Sequence, residues 1–174
     1  MRRAAALLAL LALAAPAAAQ NREVLEALMY QLKKPENPEV LRVASAACLL
    51  GLGDVEAIAA PFVKYGWARQ DDADMAMTTL MPPAGEMVYV SIYDDGRICD
   101  VASEVWGTDI ALPTMQILTA VAGLTATAID QADGCVSMAL TPKAQVTITS
   151  SGNDPVCQSA TTSTLRFELR GAEE

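Results

Sequence analysis

The chain has 174 residues, 52% of them hydrophobic, and carries 21 acidic against 12 basic side chains, for a net charge of −9 at pH 7. An acidic surface repels phosphate backbones and anionic lipid headgroups, so nucleic acid and membrane surfaces are disfavoured as partners. The chain contains no histidine, which excludes Ser-His-Asp and Cys-His catalysis, imidazole-based zinc sites and mechanisms that use histidine as the general base.

Residues 1–19 have the pattern of a secretory signal peptide. Two arginines precede an apolar run of alanine and leucine, Pro16 interrupts that run, and small residues precede a cleavage site before Gln20. The apolar run has about a dozen residues, whereas about 20 are needed to span a bilayer, and no later segment is long and apolar enough. We therefore expect cleavage to leave residues 20–174 as a single exported α+β domain, periplasmic or secreted, with no membrane insertion.

Two amphipathic helices are predicted next. The first covers "REVLEALMYQLK" at 22–33, with Asn21 as its cap. Asn37 followed by Pro38 starts the second helix, which ends in the "GLG" at 51–53. The residues expected to face the core are Val24, Leu25, Leu28, Met29 and Leu32 in the first helix, and Val40, Leu41, Ala44, Ala47 and Cys48 in the second.

A third helix is predicted over "VEAIAAPFVKYG" at 55–66, with Asp54 as its cap. Pro61 lies deep in this segment, where it predicts a kink or a restart of the helix. Trp67 follows at once, and we interpret it as a core residue.

After Trp67 the spacing of the apolar residues changes from the helical period to the alternation typical of strands. "MAMTTLM" at 75–81 and "MVYVSIY" at 87–93 predict an antiparallel hairpin. "DDG" at 94–96 is a turn signal that leads into a third strand, "RICDVAS" at 97–103. These segments predict a three-stranded meander.

One more helix and four short strands complete the prediction. Thr108 caps an apolar helix that ends at Gly123, with Pro113 near the first turn. Its expected buried residues are Ile110, Met115, Ile117, Leu118 and Val121. The strands are expected near 125–129, 135–140, 145–150 and 163–169. The order predicts an α+β fold, with N-terminal helices followed by a mostly antiparallel sheet that has one inserted helix.

Four cysteines, Cys48, Cys99, Cys135 and Cys157, lie in the part of the chain expected to be exported. An even number in an oxidising compartment predicts two disulfides, and three pairings are possible. We favour Cys48–Cys99, which would join a helix to a strand, and Cys135–Cys157, a local link within the strand-rich segment. Pairing of Cys99 with Cys135 stays open, because it would also join strands.

The run from Cys48 through "YGW" at 65–67 to "GRICDV" at 96–101 resembles small, uncharacterised exported (periplasmic) proteins of alphaproteobacteria. In those proteins a helix cysteine precedes a glycine–aromatic step, and a later strand carries glycine, cysteine and valine. The resemblance covers about the first 100 residues. It implies a periplasmic or secreted Gram-negative protein, supports Cys48–Cys99 and transfers no catalytic residue.

No segment predicts a catalytic, cofactor-binding or metal-ligating residue, and no cofactor is expected. "DDAD" at 71–74 and "YDDG" at 93–96 resemble fragments of calcium loops, but they lack the alternating oxygen ligands and the distal glutamate, so we interpret them as turns. Methionines could bind Cu(I) in an exported protein, although core packing explains them more simply. The methionines near the first hairpin are Met75, Met77, Met81 and Met87.

Three functions fit these observations. The first is a periplasmic binding or protein-interaction domain without catalytic activity, inhibitor-like or an envelope accessory, whose unknown partner could be another envelope protein. The second is a hydrolase that uses a carboxylate pair, which needs two acidic side chains in one pocket. The third is a metal-handling protein that uses the methionines.

Overall fold

A computed structural model of the chain describes residues 23–83, 88–129, 135–151 and 156–170. Residues 23–28 form helix α1, which continues as a 3₁₀ helix over Met29–Lys33. The remaining helices are α2 (Glu39–Gly51), α3 (Val55–Lys64) and α4 (Thr108–Val121). The signal-peptide prediction and the Asn21 cap lie outside the described residues.

In the described part of the chain, eight strands form one antiparallel sheet in the order β1-β2-β3-β4-β8-β7-β6-β5. The fold is therefore α+β, as predicted. The first four strands are β1 (Ala68–Asp72), β2 (Met77–Met81), β3 (Val88–Tyr93) and β4 (Ile98–Ser103). The last four are β5 (Thr127–Ile129), β6 (Val136–Thr141), β7 (Ala144–Thr149) and β8 (Ser163–Leu169).

The sheet consists of two four-stranded meanders that meet at the centre. Within each meander, strands that follow one another in sequence are neighbours, and helix α4 connects the first meander to the far edge of the second. The two meanders join through one antiparallel pair, β4 with β8, in which Asp100 lies opposite Arg166. The middle of the sheet is thus assembled from residues far apart in sequence.

The helices cover one face of the sheet. The hydrophobic core takes its strand residues from alternate positions, such as Val90 and Ile92 of β3, Cys99 and Val101 of β4, and Phe167 of β8. Register places these side chains on the same face, because successive side chains of a strand point to opposite faces. Helix α2 lies over β3, β4 and β8, while α3 lies over β1 and β2 and α4 over β7 and β8.

Local signals explain where the second and third helices begin. The Asn37 side chain accepts a hydrogen bond from the Glu39 N–H at 3.0 Å, and the Asp54 side chain accepts one from the Ala57 N–H at 3.0 Å. These bonds satisfy donors that have no partner within the helix. The predicted restart of the helix at Pro61 is wrong, because α3 runs through it without interruption, whereas the kink stays a prediction.

Both favoured disulfides are present. Cys48 of α2 is bonded to Cys99 of β4, and Cys135 to Cys157. The first bond is fully buried and ties the helix layer to the central strand. The second closes a loop between residues 22 positions apart.

Three details of the helix predictions are wrong. In α4, Ile110 and Ile117 are 39% and 47% exposed, while Ala111, Thr114 and Thr119 are buried. Thr108 does not cap this helix, because its hydroxyl lies beside the backbone of Ser159 instead. Val24 of α1 is also exposed rather than in the core.

The first meander has four strands rather than the predicted three. Strand β1 carries the sequence Ala68–Asp72, whose side chains are almost all exposed, so it lacks the alternation that marks a half-buried strand. It forms because its backbone pairs with β2 from Ala68–Met81 to Asp72–Met77. None of the helices among the described residues is long and apolar enough to cross a membrane.

Candidate functional site

The face of the sheet opposite the helices, here called the open face, carries mostly polar side chains. In the described part of the chain, no helix contributes to this face, and none of its residues belongs to the hydrophobic core. Its central residues lie on β3, β4, β8 and β7, and by register they are Tyr89, Ser91, Tyr93, Ile98, Asp100, Ala102, Thr164, Arg166, Glu168, Gln145, Thr147 and Thr149.

A hydrogen-bonded network of charges occupies the centre of this face. Arg166 donates from Nη1 to Oδ2 of Asp100 at 3.1 Å and from Nε to Oε1 of Glu168 at 2.6 Å. Gln145 donates from Nε2 to Oε2 of Glu168 at 2.9 Å. The guanidinium therefore lies between two carboxylates, and strands β4, β8 and β7 each contribute to the network.

Asp100 is the most deeply buried charged residue of this network, with only 5% of its surface exposed. Its second oxygen, Oδ1, is buried and has no hydrogen-bond partner among the described residues. Burial raises the pKa of Asp100 to about 6; Arg166 opposes this shift, and the negative charge of Glu168 adds to it. A buried acceptor without a partner costs about 1–3 kcal/mol, so this oxygen is the feature of the face that most needs a partner.

The charges of its neighbours also affect the pKa of Arg166. Burial alone would lower that pKa, but the hydrogen bond to Glu168 and the charges of Asp100 and Glu168 outweigh it and raise the pKa. Arg166 is therefore a fixed cation. Its side chain is 18% exposed, so it remains within reach of solvent.

Two tyrosines flank Asp100 along the neighbouring strand. Asp100 lies opposite Ser91 of β3, and Tyr89 and Tyr93 lie two residues to either side of Ser91, on the same face. Both tyrosines are half-buried. Burial raises the pKa of Tyr89, and the nearby charges of Glu104 and Asp100 raise it further. We call Tyr89, Ser91, Tyr93, Asp100, Gln145, Arg166 and Glu168 the Asp100 site.

The two acidic segments considered as calcium-loop fragments are brought together by the fold. Asp71, Asp72 and Asp95 line one cavity of about 240 Å³. Asp71 already accepts hydrogen bonds from Thr78 and Arg69, which lower its pKa. Asp72 accepts hydrogen bonds from two backbone N–H groups of its own turn. Among the described residues, no group of three or more cysteine or acidic side chains could hold a metal ion.

The described methionines of the first hairpin do not converge. Met77 and Met81 lie on the open face of β2, four positions apart, which separates their Cα atoms by about 13 Å along the strand. Met75 is exposed in the preceding turn, and Met87 lies outside the described residues. One ion cannot contact both Met77 and Met81.

A larger cavity of about 550 Å³ lies beside the start of α4, lined by Thr108, Leu112, Val136, Ile148 and the disulfide residue Cys157. The Thr108 hydroxyl is already engaged with the backbone of Ser159. No unpartnered buried polar atom among the described residues lies in this lining. This cavity therefore shows no sign of a specific ligand.

Asp100 and Arg166 are not among the residues for which the sequence predicts a role. Asp100 stands between Cys99 and Val101 in a strand whose other residues are buried or half-buried, and a charged residue within such an apolar strand marks a candidate site. Its partner, 66 residues away, could be identified only from strand pairing.

No protein-family model matches the chain, and no curated protein and no solved structure is significantly similar to it. The function must therefore be inferred from the geometry.

Proposed function

We propose that the protein is an exported binding domain without catalytic activity, and that it binds its ligand at the Asp100 site. The observation that carries this proposal is the Asp100 Oδ1 atom, a buried acceptor without a partner on a face that no described helix covers. A buried polar group without a partner usually reflects strain, function or a missing water or ion. Here it lies at the junction of the two meanders, where backbone pairing holds it rigidly.

Export is supported by the sequence of residues 1–19, which has the regions of a signal peptide, and by two disulfides that use all four cysteines. The resemblance to periplasmic proteins of alphaproteobacteria, which rests on the sequence between Cys48 and "GRICDV" alone, points to the same compartment. We propose a periplasmic or secreted location, with an envelope component as the partner.

The alternative, a hydrolase with a carboxylate pair, has one observation in its favour. Asp100 and Glu168 lie on the same face, and a carboxyl group with a pKa raised to about 6 is suited to act as a general acid. However, Arg166 bonds to both carboxylates. A carboxylate pair that acts on a glycosidic bond needs the substrate between the two groups. Arg166 takes the place between the carboxylates that a substrate would need, so the geometry favours a binding function over hydrolysis.

The proposal can be tested by NMR on ¹⁵N-labelled protein, residues 20–174, with both disulfides intact. A panel of soluble envelope components, comprising sugars, peptides, amino acids and phosphorylated metabolites, is added in turn. We expect at least one class to shift the backbone amides of residues 89–93, 98–102 and 164–168. If no class does so, or if all shifts fall on the helix side, the proposal is wrong.

Product analysis of the same samples separates the two functions. A binding domain leaves every compound intact. Turnover that is lost in Asp100→Asn or Glu168→Gln, with the fold retained by circular dichroism, would instead establish the hydrolase.

A further inference from the structure

We propose that the ligand of the Asp100 site is a saccharide, held through adjacent hydroxyl groups. This inference rests on the proposed function and specifies the ligand class. It follows from the hydrogen-bonding groups that the site offers, from their charges and from the two tyrosines beside them.

The first argument is the pairing of donor and acceptor. Asp100 offers one free acceptor, Oδ1, while Arg166 uses Nε and Nη1 in the described contacts and has further N–H donors. A hydroxyl group both donates and accepts. Two adjacent hydroxyls can therefore donate to the carboxylate and accept from the guanidinium at once, which neither an amine nor a carboxylate can do alone.

The second argument is charge. Arg166 lies between Asp100 and Glu168, so an anionic ligand meets two carboxylates and a cationic ligand meets the guanidinium. The net charge of the whole chain, −9, adds to the repulsion of anions. A neutral ligand rich in hydroxyl groups avoids both costs.

The third argument is the position of the aromatic rings. Tyr89 and Tyr93 stand on either side of the Asp100 position, with their Cα atoms about 13 Å apart along β3. A tyrosine offers an apolar ring face and a polar hydroxyl. Sugar rings have apolar C–H faces that pack on such rings, so an oligosaccharide lying along β3 could contact both tyrosines while its hydroxyls reach Asp100.

Access to Oδ1 requires a side-chain movement, because this atom is shielded from solvent. Asp100 lies at the bottom of the site with 7% of its side chain exposed, and Arg166 is more exposed. Side-chain rotations are common at binding interfaces even where the backbone barely moves. The backbone of β4 and β8 therefore need not change.

The experiment uses ¹⁵N-labelled residues 20–174 with intact disulfides and three probes: maltotetraose, cellotetraose and chitotetraose. We expect at least one probe to shift the amides of residues 89–93, 98–102 and 164–168. Asp100→Asn should weaken that binding about tenfold or more, because it removes a charged acceptor.

Matched variants separate the roles of ring and hydroxyl. Tyr93→Phe retains the aromatic ring and should retain most of the affinity, whereas Tyr93→Ala should lose it. Gln70→Ala is the control, because Gln70 lies on the same face but on the exposed edge strand β1, outside the site. This variant should bind the sugar as the unaltered protein does. The Tyr93 comparison remains decisive if Asp100→Asn fails to fold.

The outcomes distinguish the two proposals. If the sugars do not bind but another compound class shifts the same amides, the saccharide inference is overturned and the proposed function stands. If no compound shifts this face, both are overturned. Sugar binding that is equal in Tyr93→Ala and Tyr93→Phe would also overturn the saccharide inference.

Discussion

Cys48 of α2 and Cys99 of β4 lie with their Cα atoms 5.7 Å apart, and their disulfide fixes the central helix over the middle strand of the sheet. Asp100, the next residue, points to the opposite face. The bond that anchors the core is thus one residue from the candidate binding site, and anything that shifts β4 moves both.

Loss of the Cys48–Cys99 bond should destabilise the protein more than loss of Cys135–Cys157. The closed loops span 51 and 22 residues, for which chain entropy gives about 4 and about 3 kcal/mol. Urea unfolding of Cys48→Ala/Cys99→Ala and Cys135→Ala/Cys157→Ala, followed by tryptophan fluorescence, measures both. An unchanged midpoint after removal of the buried pair would contradict this expectation.

Replacing Asp100 by Asn should remove a pH-dependent loss of folding stability. Burial raises the pKa of Asp100 from 3.8 to about 6, against the pull of Arg166 and with the help of Glu168. The folded state therefore binds a proton at Asp100 more tightly than the unfolded chain does. The free energy of unfolding falls as pH rises from 3.8 to about 6, and it is not regained above that range.

Relative to the unaltered protein, Asp100→Asn should gain stability between pH 4 and pH 7, by at most about 3 kcal/mol. Urea midpoints measured across this range give the difference directly, and other carboxylates cancel in the comparison. A difference that stays constant with pH would show that Asp100 is not perturbed in this way.

Trp67 should stabilise the packing of α3 against the 3₁₀ helix over Met29–Lys33. Its indole N–H donates to the carbonyl of Leu32 at 2.8 Å, and its ring meets Phe62 edge-on at 5.0 Å between centroids. Trp67→Phe loses that bond and leaves unfilled volume, which should cost about 2–3 kcal/mol in urea unfolding. Trp106→Phe, at a half-buried position, is the control and should cost clearly less.

Cleavage after Ala19 is expected on export. Mass spectrometry of the protein from its native envelope should find a chain that begins at Gln20 or its pyroglutamate form. An N-terminus at Met1 in that fraction would contradict the signal-peptide prediction.

The sequence was sufficient for elements whose signals are local. The five core residues predicted for α2 are all buried, because the helix is apolar along most of its length and is buried on nearly every side. Trp67, read as a core residue, is 3% exposed. The turn at 94–96 and the strands on either side of it also follow from residues that lie side by side in the chain.

The sequence was insufficient where tertiary context decides. Helix α4 is apolar nearly all round, so its pattern could not show that Ile110 faces outward. Strand β1 carries charged residues and forms through its backbone pairing with β2. The Asp100 site joins β4 to strands that follow it by more than 40 residues, and no local signal reports such a pairing.

The two disulfides join consecutive cysteines, the first with the second and the third with the fourth. A chain that crosses a membrane with its N-terminus leading exposes Cys48 and Cys99, together with strands β1 to β4, before Cys135 emerges. Oxidation in the order of emergence therefore yields the native bonds directly, without thiol–disulfide exchange to correct wrong partners. The division of the sheet into two meanders, each with its cysteines close by in sequence, suits the chain to maturation by an oxidant alone.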